Sequence, residues 1–129
     1  MKRDAEAAAW VEKAEEDYRS AETLARKRVK PVPGAVCFHC QQAAEKYLKS
    51  FLTLRRVDFP KTHDLIVLKT LAAPFLPEAE LVADLLLYLN EFSVQFRYPG
   101  EHATVGQARR AIGAIREVRK FFAVRLPGL

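Results

Sequence analysis

The stretch Ala35-Val-Cys-Phe-His-Cys-Gln-Gln-Ala-Ala-Glu-Lys-Tyr-Leu-Lys-Ser-Phe-Leu52 reads as one long helix, expected over roughly 34–56, and the rest of the chain is organised around it. Val36/Cys37, Cys40, Ala43/Ala44, Tyr47/Leu48 and Phe51/Leu52 recur at three- and four-residue steps and form a wide apolar face. A face that wide predicts a central helix packed on more than one neighbour, and the small residues at 40, 43 and 44 predict a close approach by one of them. Gln41, Gln42, Glu45, Lys46 and Lys49 fall on the other side, either as a ligand-binding set or as a solvated face. Glu45 and Lys49 stand in the favourable (i, i+4) order, and Arg55 and Arg56 are expected in the last turn, where cations suit the helix dipole.

Working outward, a first helix is expected from an N-cap near Asp4 to about Arg28, with Trp10, Ala14, Tyr18, Ala21 and Leu24/Ala25 as its apolar stripe. Pro31 and Pro33 end it, and Gly34 allows the turn. Downstream, Thr62 is the expected cap of a short helix running to about Ala72, with Leu65, Leu68 and Leu71/Ala72 inside, and His63 either caps it or packs on the long helix. A fourth helix is expected over 78–95 with Leu81, Leu85, Leu89 and Phe92 on its buried face. Pro99-Gly100 predicts a loop turn. Thr104 then caps a fifth helix, roughly 105–124, with Val105, Ala108, Ile112, Ile115, Val118 and Phe122 inside and Arg109, Arg110, Arg116, Arg119 and Lys120 outside. No alternating strand pattern and no internal repeat is visible. The expected fold is all-α: one domain over 1–129, an antiparallel up-and-down bundle of four main helices plus one short helix.

Bulk properties agree with a soluble globular chain. Of 129 residues, 50% are apolar and 29% charged, and no run is long enough to cross a membrane. The charged N-terminus lacks the apolar core of a signal peptide, so the expected location is cytoplasmic. The formal charge of +5 is unevenly spread: residues 1–58 carry +3, 59–96 carry −3 and 97–129 carry +5. A basic C-terminal third suits an anionic partner such as RNA, a nucleotide or an acidic protein, or is a solvated Arg-rich face.

Cys37-Phe-His-Cys40 has metal-ligand residues, yet both cysteines fall on the apolar face of a helix and the other histidines lie far off in sequence. The expectation is two buried, reduced thiols and no metal site. The chemistry-bearing segment is Arg97-Tyr-Pro-Gly-Glu-His102, at the entry to the basic helix. A guanidinium can hold a phosphate through two parallel hydrogen bonds, and imidazole is the side chain that titrates nearest neutrality. Together they suffice, without a metal, for in-line attack of an RNA 2′-hydroxyl on its own phosphate.

Cys37-Phe-His-Cys-Gln-Gln-Ala-Ala-Glu-Lys-Tyr-Leu-Lys49, Lys61-Thr-His-Asp-Leu65 and Arg97-Tyr-Pro-Gly100 together resemble the HEPN (higher eukaryotes and prokaryotes nucleotide-binding) domain family across nearly the whole chain. The resemblance implies a helical bundle, a homodimer, and pairing with an MNT-type nucleotidyltransferase in a toxin–antitoxin arrangement. Many such proteins are metal-independent endoribonucleases with an Arg, four to six residues and a His at the start of the last long helix. By that likeness Arg97 and His102 are the catalytic pair in a dimer cleft, and no cofactor is implied. Some nuclease members carry a tyrosine two places after the histidine, where this chain has Thr104. The alternative implied by the family is a non-catalytic nucleotide-binding or regulatory subunit of a nucleotidyltransferase. Gln41, Gln42, Glu45, Lys49 and Arg109 are then the ligand-binding candidates.

Overall fold

A computed structural model describes residues 2–93 and 99–129. Five α-helices follow in order: α1 (Lys2–Ala25), α2 (Pro33–Leu54), α3 (Leu65–Ala72), α4 (Ala83–Asn90) and α5 (Val105–Ala123), with a 3₁₀ segment, Pro77–Val82, leading into α4. Among the described residues there is no strand, and no helix is long and apolar enough to cross a membrane.

α2 is the hub, as its wide apolar face requires. Ala7, Ala14 and Ala21 of α1 are fully buried, and so are Cys40, Ala43 and Ala44 of α2. These small side chains let the two backbones approach, and α1–α2 is the most extensive helix pair. Ser50 Oγ donates to the Ala7 carbonyl (2.8 Å) near one end, and Lys46 donates to Asp17 further along, so the pair is antiparallel. Tyr47 stacks on Phe122 of α5 (5.9 Å between centroids). Arg116–Glu22 and Arg119–Glu15 tie α5 to α1, while Tyr88–Gln107 and Arg125–Glu78 tie it to α4 and the preceding 3₁₀ segment. These pairings make α1, α2, α4 and α5 an up-and-down bundle. The short α3 lies on the flank and runs parallel to α2, because residues 55–64 return along the bundle without helix. Phe59 in that return packs edge-on against Trp10.

Several local expectations shift. α1 stops at Ala25, well before the prolines: Arg26 and Lys27 bond three residues back, to Thr23 and Leu24, which tightens the last turn and ends it. Its buried line is Ala7, Val11, Ala14 and Ala21, with Trp10, Tyr18 and Leu24 flanking rather than central. Arg55 is the C-cap of α2 and Arg56 takes a left-handed φ of 61° beyond it, so neither lies in the last turn. The fourth helix is shorter than expected. Its first six residues wind as a 3₁₀ segment at about three residues per turn, which rotates the phase of the apolar pattern. Leu81 consequently points outward at 79% exposure, and Val82 and Leu86 are buried instead. Val105 is also exposed, because α5 begins there beyond the core.

The cap of α3 is Asp64, not Thr62. Asp64 Oδ1 accepts from the backbone N–H of Ile66 (2.9 Å) and Val67 (3.4 Å) and from Asn90 Nδ2 (3.1 Å), while Thr62 Oγ1 accepts from the Asp64 N–H. Asp64→Ala is expected to cost about 1–2 kcal/mol, measured from urea midpoints, because it removes a helix cap and a link to α4 together.

Cys37 and Cys40 are free and buried. Burial pushes the Cys37 thiol up to about 11 and Cys40 higher still, with Cys37's own charge adding to the effect on Cys40. Both are expected to resist iodoacetamide at pH 8 in the folded protein and to react once guanidinium unfolds it.

Candidate functional site

The chemistry-bearing loop reaches α5 through a defined entry. Gly100 has φ 91°, the left-handed conformation that the Pro99-Gly100 turn needs and that glycine adopts without strain. Ala103 is buried and anchors the chain. Thr104 then makes a capping box: its hydroxyl accepts from the Gln107 N–H (3.0 Å), and Gln107 Oε1 accepts from the Thr104 N–H (2.8 Å). His102 lies between these fixed points and two residues before the cap. It is exposed and bonds to no described residue. An imidazole so placed has both ring nitrogens open to a substrate. Arg97 lies outside the described residues, so the catalytic pair is placed through His102 alone.

The polar set of α2 is neither solvated nor open. Gln41, Glu45 and Lys49 are buried and Gln42 is half-buried, because the return segment 55–64 covers them. Glu45 Oε2 accepts from Lys49 Nζ (3.0 Å) and its Oε1 bonds to His63 Nδ1 (2.8 Å). Gln41 Nε2 donates to the His63 carbonyl (2.8 Å), and Gln42 Nε2 donates to Gln41 Oε1 (2.7 Å). Lys49 Nζ also sits over Trp10 (5.4 Å) and Phe59 (5.9 Å). These bonds turn the hydrogen-bonding capacity of the set inward and pin the return segment to α2. His63 packs on the long helix, as one of its two expected roles has it, and leaves its outer edge in solvent. A second carboxylate–imidazole–ammonium set, Asp17–His39–Lys46, lies between α1 and α2. It escaped the sequence reading because Asp17 and His39 are 22 residues apart and on different helices. Among the described residues no three His, Cys, Asp or Glu side chains gather closely enough to hold a metal ion.

The basic side of α5 is largely occupied. Arg116 makes two 2.8 Å bonds to Glu22, and Arg119 bonds Glu15 at 2.7 and 2.9 Å. Hydrogen bonds from Arg116 hold the Glu22 carboxyl below its usual range. At Glu15 burial pulls the other way, and bonds from Arg119 and Tyr47 outweigh it. Arg110 lies flat over Tyr88 (3.9 Å), and Arg125 over Phe121 (3.8 Å). Arg109 is exposed, forms none of these pairs, and stands apart from Gln41, Gln42, Glu45 and Lys49, beside the α1–α2 connection. That connection carries Arg26, Lys27, Arg28 and Lys30, all exposed. The sequence reading missed it because residues 1–58 were counted as one block; the five-residue Arg-Lys-Arg-Val-Lys run was the available signal.

Compared with known proteins, the chain matches the family model described as HEPN domain over residues 7–125. No curated protein and no solved structure matches it.

Proposed function

The chain belongs to the HEPN domain family, and from that premise we propose that it is a metal-independent endoribonuclease acting as the toxin of a toxin–antitoxin pair. The observation that carries the reading is His102: solvent-facing, unbonded, and fixed at the entry to α5 by the Thr104–Gln107 box. In this reading His102 takes the proton from an RNA 2′-hydroxyl as its oxygen bonds to phosphorus. The bond from phosphorus to the 5′-oxygen breaks, and that oxygen leaves protonated by the His102 of a second copy across a dimer cleft. Arg97, four residues upstream of the intervening turn's end, neutralises the charge that builds on the phosphoryl oxygens. The products are a 2′,3′-cyclic phosphate and a 5′-hydroxyl.

The test is incubation of single-stranded RNA with the purified chain in EDTA, where cleavage is expected. A second reading, the regulatory subunit of a nucleotidyltransferase, is favoured by Thr104. Its hydroxyl is used as a helix cap at the position where a tyrosine would stand free. That reading is supported instead if RNA stays intact and the chain forms a stable complex with a nucleotidyltransferase.

A further inference from the structure

A groove of about 300 Å³ opens between the end of α1, the start of α2 and the first three turns of α5. Its walls are aliphatic, with Leu24, Val32, Val36, Val105 and Ile112, and Lys27 and Arg109 stand at its rim. Gly113 forms part of the lining. A glycine in a helix interior costs about 1 kcal/mol relative to alanine. Nothing within the chain explains it here, since a methyl at Gly113 would meet no atom within 4 Å and its φ is not left-handed. The backbone at this point is open to something from outside. No aromatic ring lines the groove, so it lacks the stacking platform on which single-stranded nucleic acid is held.

The surface that fits this groove is on the chain itself. The outer face of α4 and its lead-in carries Leu81 (79% exposed), Asp84, Leu87 (59% exposed) and Glu91. Asp84, Leu87 and Glu91 follow one another at three- and four-residue steps along one helical face. Neither Asp84 nor Glu91 is paired in the hydrogen-bond and ion-pair networks described above. The face is acidic with projecting leucines, and the groove is aliphatic with a basic rim.

We infer that this groove receives the Leu81–Leu87 face of a second copy of the chain, with Arg109 meeting Asp84 across the interface. The two surfaces flank the same exposed ridge of α5: Val105, Arg109 and Gly113 border the groove, while Gly106, Gln107 and Arg110 border the acidic face. A twofold axis through that ridge forms the contact twice and closes the assembly as a dimer. The bare backbone at Gly106 and Gly113 lets the two ridges approach. His102 lies three residues ahead of Val105, so both copies of the proposed catalytic loop come to the same side of the dimer. The inference deepens the dimer element of the proposed nuclease but is read by mass, not by RNA cleavage.

Sedimentation equilibrium of the full chain is expected to give twice the 14.6 kDa chain mass. Arg109→Glu and Asp84→Lys are each expected to weaken the dimer about tenfold or more, because like charges then face one another, and the double variant is expected to restore it. Gly113→Leu fills the groove and removes a helix-interior glycine, so it is expected to melt no lower than wild type while sedimenting as a monomer. The inference is overturned by a monomeric wild type, by open-ended larger assemblies, or by a dimer that Gly113→Leu and Arg109→Glu leave intact. It is likewise overturned if Gly113→Leu leaves the mass unchanged and instead abolishes retention of oligouridylate, which would assign the groove to RNA.

Discussion

Replacing His102 with alanine is expected to slow RNA cleavage about 10²- to 10⁴-fold, the usual weight of one general acid–base group. The same change is expected to leave stability within about 0.5 kcal/mol of wild type, since an exposed side chain away from caps and core contributes little to folding. Both halves follow from the geometry: His102 is exposed and unbonded, and the neighbours that fix the loop, Ala103 and Thr104, remain. The measurements are initial rates on a fluorogenic RNA and thermal unfolding by circular dichroism. A variant that cuts as fast as wild type removes His102 from the chemistry. A variant that unfolds early shows that the histidine belongs to the structure.

Glu45→Ala is expected to be the most damaging of the stability changes, at about 3–5 kcal/mol. The Glu45 side chain is only 3% exposed, and its two oxygens hold Lys49, itself 8% exposed, and His63. Removing the carboxylate leaves an ammonium enclosed by Trp10 and Phe59 with no counter-charge. It also frees the return segment that His63 ties to α2. The paired change Glu45→Leu with Lys49→Met removes both charges and is expected to recover much of the loss, because a buried ion pair and an apolar pair of similar volume differ little in stability. Urea unfolding of the three proteins separates these outcomes. A loss under about 1 kcal/mol for Glu45→Ala would mean that the buried network does not hold the return segment.

The helices and their order were legible because each carries an apolar line at helical spacing, and the start of α5 because Thr104 and Gln107 stand at capping-box distance. The phase of α4 was not, because a helical wheel assumes 3.6 residues per turn and Pro77–Val82 winds more tightly. The burial of Gln41, Glu45 and Lys49 was hidden for a different reason. The segment that covers them has no periodicity of its own, and its contact with α2 is a matter of where the chain returns. Charge counting overstated the basic face of α5, since it does not see that Glu15 and Glu22 on α1 reach Arg119 and Arg116. Of the expected site, His102 is placed, Arg97 lies outside the described residues, and Arg109 stands with the α1–α2 connection rather than with the α2 set.

The most direct measurement is the chemistry of the ends left on RNA. The wild-type chain, incubated with a single-stranded oligoribonucleotide in EDTA, is expected to leave a 2′,3′-cyclic phosphate on the upstream fragment and a 5′-hydroxyl on the downstream one. An oligonucleotide carrying 2′-deoxyribose at the cleaved position is expected to stay intact. Intact RNA, cleavage that requires a divalent metal, or fragments bearing 5′-phosphates would contradict the account.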